Sequence, residues 1–122
     1  MGALNYTPEW IAANKDTFND LITCSMSGKR PFRTLMAQSA AVSSWSASRL
    51  AKLGIPVLVV HGDKDVVLPA SNGQKIAAQI PSSQYVELPG AGHAFWHMVP
   101  ESATIISSFI ARHDERTPSS KL

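Results

Sequence analysis

Ile55-Pro56-Val57-Leu58-Val59-Val60-His61-Gly62-Asp63-Lys64-Asp65 is the stretch that decides the fold. Its run of β-branched and leucine residues is too short for a free-standing helix and closes on Gly-Asp, which predicts a buried parallel strand with polar groups at its carboxyl end. In open α/β sheets, ligands and chemistry gather at such ends. From Asp65 the chain passes through a predicted helix and a second strand to Gly90-Ala91-Gly92-His93. An acid and an imidazole therefore leave neighbouring strand tips.

Working outward, Val66-Val67-Leu68-Pro69 leads into a helix over 70–80, with Ile76, Ala77 and Ile80 facing inward and Pro81 ending it. A short strand over 84–88 follows, and Pro89-Gly90-Ala91-Gly92 is a tight turn that delivers His93. The order strand, helix, strand, helix is that of a right-handed βαβ unit in a parallel sheet. Pro100-Glu101 opens the last helix, which carries Ile105, Ile106, Phe109 and Ile110 as an apolar stripe opposite Ser107, Ser108 and Arg112.

Ahead of the strand, Thr7-Pro8-Glu9 is a helix start, and Trp10, Ile11, Phe18, Leu21 and Ile22 predict one helix over 8–26 that stops at Gly28. The Ala/Ser-rich stretch Gln38 to Ser48 suits close packing or a loose connection. Ser46 or Ser48 can cap a short helix bearing Leu50 and Leu53, ended by Gly54. Residues 114–122 are polar, contain Pro118 and are expected to be mobile.

With 122 residues, 44% of them hydrophobic, the chain is at most one modest domain. Its net charge of +2 comes from basic residues scattered apart from Lys29-Arg30 and Arg33, which argues against nucleic acid as a partner. A single cysteine, Cys24, cannot form an internal disulfide, and neither a signal-peptide pattern nor a membrane-spanning apolar run is present, so an intracellular, reducing compartment is expected. Gly2 matches a myristoylation signal, but Tyr6 stands where Ser or Thr is wanted.

A βαβ unit sets the tips of its two strands side by side, so Asp65 and His93 are expected to meet. An aspartate that accepts the Nδ1 hydrogen of a histidine fixes its tautomer and stabilises the imidazolium formed when Nε2 takes a proton from a nucleophile. Taken singly each residue has a plainer role: Gly-Asp-Lys-Asp is an ordinary turn, and a histidine after Gly-Ala-Gly can bond its own loop. His97, four residues after His93, lacks the glutamate of a zinc signature, so neither metal nor cofactor is expected. His61 suits packing and hydrogen bonding at the strand end. Phe95, Trp96 and Met98 can line a pocket or join the core.

From Lys29 to Arg112 these features resemble the C-terminal part of an α/β-hydrolase fold enzyme of the esterase, haloperoxidase and epoxide-hydrolase kind. The stretch Ile55 to Asp65, with Pro69 beyond it and Arg49-Leu50 ahead, is similar to that family's penultimate strand and acid loop. Leu88-Pro89-Gly90-Ala91-Gly92-His93 resembles its last strand and histidine loop, and Pro100-Glu101 to Ile110 its closing helix. The resemblance implies that the catalytic acid is Asp65 rather than Asp63 and that the histidine is His93. It also implies an α/β fold of two parallel strands with flanking helices, in which residues 1–45 are lid- or cap-like helices and 46–113 the core segment.

The family's order is nucleophile, acid, histidine, with the nucleophile on a Gly-x-Ser-x-Gly elbow between strand and helix. No such elbow occurs here; Ser25 and Ser27 lack the leading glycine and the preceding strand, and the oxyanion-hole loop is missing. The chain therefore corresponds to the back third of a serine-type hydrolase for an ester, thioester or related acyl compound, inactive alone. It is expected to self-associate through its open strand edge or to sit beside an N-terminal half. The alternatives are a non-catalytic scaffold and one half of a split enzyme.

Ser120-Lys121-Leu122 at the carboxyl end is a peroxisomal address, read by a receptor that grips the free carboxylate. Import from the cytosol into peroxisomes, or into glycosomes or glyoxysomes, is the expectation; coincidence in a Ser/Lys-rich tail is the alternative.

Overall fold

The computed structural model describes residues 2–28, 31–44 and 47–114. The pair Lys29-Arg30, the proposed cap Ser46 and the tail with its Ser-Lys-Leu end lie outside them.

Two strands, β1 (Val57–Gly62) and β2 (Ser83–Leu88), pair in parallel, with Val57 opposite Ser83 and Gly62 opposite Leu88. The expected βαβ connection is present: the intervening helix, Ala70–Gln79, packs against both strands. β1 starts two residues later than expected, because Pro56 has no N–H for the ladder and Ile55 stays exposed. Val57 to His61 are half-buried rather than buried, and only Gly62 is fully covered. The reason is topological: among the described residues β1 has one partner strand, and a two-stranded sheet leaves an edge uncovered.

In chain order the helices are α1 (Pro8–Ala13), α2 (Lys15–Ser27), α3 (Phe32–Ser44), α4 (Ala70–Gln79), α5 (Phe95–Met98) and α6 (Glu101–His113), with 3₁₀ turns at Gly2–Asn5 and Ala47–Lys52. The single helix expected over 8–26 is two. Asn14 leaves the helical region (φ −131°, ψ 43°), and its side-chain amide donates to the Trp10 carbonyl at 2.9 Å while its own carbonyl accepts from Phe18 N at 2.9 Å. An asparagine that bonds the local backbone competes with the helix ladder, so one residue ends α1 and begins α2. Thr7 caps α1 as expected, its hydroxyl accepting from Trp10 N.

The Ala/Ser-rich stretch is helical as far as Ser44, and every residue of α3 is exposed, Phe32, Leu35, Met36 and Val42 among them. Ile80 is buried and Ile76 and Ala77 half-buried, as the sequence predicts. α6 runs past Ile110 to His113, and its stripe is narrower than expected: Ile105, Ile106 and Phe109 are half-buried but Ile110 is 58% exposed. Ser102, 1% exposed, is tucked instead under the start of the helix, its N–H on the Val99 carbonyl.

The most deeply buried apolar residues are Tyr6, Ile80, Leu88, Ala91 and Ala94. Three of these, Leu88, Ala91 and Ala94, belong to the end of β2 and the loop beyond it. The best-covered part of the molecule is thus the part that carries His93.

Candidate active site

The two strand tips are stitched together by backbone. Asp63 N donates to the Leu88 carbonyl (3.2 Å) and Lys64 N to the Ala91 carbonyl (2.9 Å). Gly62 permits this approach: a Cβ there would collide with the Ala91 carbonyl oxygen and come within 2.6 Å of that of Gly92. Gly90 turns the chain with φ +71°, a conformation that other residues rarely adopt. The expected glycine turn is therefore present, and each glycine has an identifiable task.

Asp65 and His93 meet at this junction. His93 Nδ1 donates to Asp65 Oδ2 over 2.8 Å, with the Asp65 side chain 4% exposed and that of His93 33%. Asp65 Oδ1 accepts from Val67 N (2.8 Å) and Leu68 N (2.9 Å), an Asx-type turn that holds the carboxylate still. Burial works to raise the carboxyl pKa, but hydrogen bonds from Leu68 N, the His93 imidazole and Val67 N outweigh it and hold the group below the usual aspartate value. A carboxylate can only accept, so the shared proton sits on Nδ1, and Nε2 keeps its lone pair with no protein partner among the described residues. Asp63, set aside by the resemblance, is exposed.

Beside the pair lies a cavity of about 320 Å³ walled by Val59, Ile76, Phe95 and Trp96 as well as Asp65 and His93. None of the described residues lining it is a serine, threonine or cysteine. Ser25 borders a different groove, formed with Phe18, Ile22 and Met26, and the Ser27 hydroxyl donates to the Cys24 carbonyl at 2.7 Å. Phe95 and Trp96 thus line the pocket, as one of their two readings has it, whereas Met98 supports the loop by accepting Gly92 N at its sulfur.

His97 lies on α5, and no group of three or more His, Cys, Asp or Glu suited to an ion occurs among the described residues. It meets Tyr6, whose hydroxyl is 2.8 Å from His97 Nδ1. The indole N–H of Trp96 can only donate, and it reaches His97 Nε2 at 3.2 Å, so Nδ1 carries the proton and donates to the Tyr6 oxygen. Tyr6 also stacks on Trp10 and meets Phe18 edge-on, and burial pushes its hydroxyl pKa up. Asn5 contributes its carbonyl, which accepts Ala94 N at 2.8 Å, one residue beyond His93. Gly92 makes room for that carbonyl, since a Cβ would come within 2.8 Å of it.

Sequence reasoning missed this N-terminal clamp, because nothing local marks two residues 91 positions apart as partners. It also missed the amides of Val67 and Leu68, although an aspartate followed by a turn is a readable signal for such bonds.

The acid and the imidazole thus meet at adjoining tips of two parallel strands that a closing helix follows. A family model described as the alpha/beta hydrolase fold matches residues 10–96. The chain belongs to the α/β-hydrolase fold family. It is similar to RutD of Klebsiella pneumoniae, a protein named as a carbamate hydrolase, with 32% identity over 90 residues that make up 73% of this chain and 34% of the relative. Among solved structures, an esterase from Rhodococcus superposes with a TM-score of 0.60 at 28% identity, over 88% of this chain and 39% of that one. BpoC of Mycobacterium tuberculosis, named as a non-heme bromoperoxidase, superposes with a TM-score of 0.70 over 89% of this chain and 42% of its own; at 24% identity this shows the fold alone. The chain spans about a third of the length of the curated relatives it matches.

Proposed function

We propose that this chain supplies the acid and the general base of a serine-hydrolase triad acting on an ester, thioester or related acyl compound. The observation that carries the proposal is the 2.8 Å bond from His93 Nδ1 to Asp65 Oδ2, which leaves Nε2 available beside an apolar cavity. In the proposed cycle His93 Nε2 takes the proton of an attacking serine hydroxyl, Asp65 stabilises the imidazolium, and the proton then passes to the leaving group. Similarity to an esterase and to a protein named as a carbamate hydrolase supports a carbonyl carbon as the point of attack.

The attacking serine belongs, in this reading, to a segment outside these 122 residues, either in a longer polypeptide or in a partner chain. The cavity lining, which among the described residues offers no hydroxyl or thiol side chain, supports this. The edge of β1 left unpaired among the described residues is the surface on which that segment, or a second copy of the chain, would dock. A compact monomer at high concentration by light scattering would count against docking through this edge. Ser120-Lys121-Leu122 is proposed to direct the protein to peroxisomes or related organelles through their import receptor.

The test is hydrolysis of a p-nitrophenyl ester by the serine-bearing polypeptide or complex that contains these residues. His93→Gln is expected to remove turnover and leave the circular dichroism spectrum unchanged. Turnover at the wild-type rate would reject the proposal.

A further inference from the structure

His61 stands at the end of β1, one residue before Gly62, and its side chain is 13% exposed. Its Nε2 lies 2.8 Å from the Leu68 carbonyl and 3.3 Å from Asp65 Oδ2. Both neighbours are acceptors, so Nε2 carries the ring proton. Leu68 is therefore held from two sides: its carbonyl accepts a hydrogen bond from His61 Nε2–H, and its own N–H donates to Asp65 Oδ1 at 2.9 Å. A continuous line runs from the strand through His61, Leu68 and Asp65 to His93.

An independent observation concerns the space that the ring occupies. Gly73 sits inside α4 and is buried, although glycine inside a helix costs stability relative to alanine. A Cβ at this position would come within 2.8 Å of His61 Nδ1 and 3.1 Å of the Tyr85 ring. The glycine is the slot into which the imidazole fits.

We propose that His61 is a positioning residue for the acid: seated against Gly73, its Nε2–H clamps the Leu68 carbonyl and flanks Asp65 Oδ2, fixing the loop that aims Asp65 at His93. The inference rests on the reading of Asp65 as the triad's acid, and it assigns to a strand-end histidine a task beyond packing. Its bonds run to Leu68 and Asp65, and it acts through them. Among the described residues, the titratable side chains paired with the carboxylate are His61 and His93.

The experiment follows the Asp65 carboxyl by carbon NMR across an acid titration of the 122-residue chain, with Asp65→Asn assigning the resonance. Removing the clamp slackens Leu68 and weakens its N–H bond to the carboxylate, so His61→Leu is expected to raise the Asp65 midpoint by about half a pH unit or more. Hydrogen exchange at the Leu68 amide is expected to quicken with it. His61→Gln, which retains an N–H donor, is expected to restore most of the wild-type midpoint. Gly73→Ala keeps the imidazole but displaces it, and is expected to move the midpoint in the same direction as His61→Leu. It decides the matter if His61→Leu does not fold.

An Asp65 midpoint unchanged in the folded variant overturns the proposal. So does a shift that His61→Gln leaves unrestored, which would make the ring a packing element. No turnover is measured, so these outcomes are separate from the triad test: ester hydrolysis can fail with the clamp intact, and the clamp can fail in an enzyme that still turns over.

Discussion

Asp65 and His93 are 28 positions apart in the chain, yet the histidine Nδ1 lies 2.8 Å from the aspartate Oδ2 at the junction of two parallel strands. Such a bond selects the imidazole tautomer whose Nε2 can accept a proton. Asp65→Asn keeps the shape and removes the charge. It is expected to lower turnover of the complete enzyme by about ten-thousandfold, the loss found when the buried aspartate of a serine-protease triad is changed in this way. Steady-state kinetics with a p-nitrophenyl ester, beside an unchanged circular dichroism spectrum, provide the check.

The same carboxylate makes stability depend on pH. Hydrogen bonds to Asp65 overcome the effect of burial and lower its folded pKa, so the folded state binds its proton less readily than the unfolded state does. The resulting stabilisation is complete above the ordinary aspartate value of about 3.9 and is lost as the pH falls from there through the folded value. Urea midpoints of the wild type and Asp65→Asn, measured from pH 7 to pH 2, are expected to converge at the acid end. Parallel curves would contradict the assignment.

Glycines around the two strands separate into those that steric contact or a left-handed backbone requires and those that neither does. Gly62→Ala drives a methyl into the Ala91 carbonyl, and a loss of about 2 kcal/mol or more is expected from overpacking of this kind. Gly90→Ala meets nothing within 4 Å but holds φ at +71°, so about 1–2 kcal/mol is expected from backbone strain. Gly54→Ala has neither problem, and the expected change is within about 0.5 kcal/mol. Urea denaturation of the three variants gives the ranking.

Tyr6→Phe removes the hydroxyl that accepts the His97 Nδ1 proton and leaves the ring stacked on Trp10. A net loss of about 1 kcal/mol is expected. Burial raises the Tyr6 pKa, so the fold favours the protonated phenol. That preference is complete below the ordinary tyrosine value of about 10 and is lost as the pH rises from there through the raised folded value. The advantage of the wild type over Tyr6→Phe should accordingly shrink in alkali, as thermal melts across pH 7 to 12 would reveal.

The carboxyl-terminal address can be tested without the catalytic reading. A fluorescent protein carrying residues 114–122 at its end is expected to collect in peroxisomes, and removal of Leu122 to leave it in the cytosol. A diffuse signal from the intact tail would remove the address from the protein's biology.

Much of the site was legible because its signals are local. A β-branched run ending in Gly-Asp marks a strand tip, a helical period followed by a second short strand marks the crossover, and Pro-Gly-Ala-Gly can only be a turn. Together these bring the acid and the histidine to adjoining tips before any distance is measured. The support around them was not legible. His61 reads as a packing and hydrogen-bonding residue until the Leu68 carbonyl is found 2.8 Å from its Nε2, and Tyr6 reads only as the mismatch in a myristoylation signal until it is found against His97.

By itself, then, the sequence determined the parallel pair of strands, the helix between them and the two side chains at their tips, since period, β-branching and glycine act over a few residues. Tertiary structure decided the outward turn of Ile110, the seat of His61 against Gly73 and the clamp of Asn5 and Tyr6 on the histidine loop. Those features depend on which surfaces meet and how far side chains reach across them. Such contacts join positions far apart in the chain, where no local pattern carries the information.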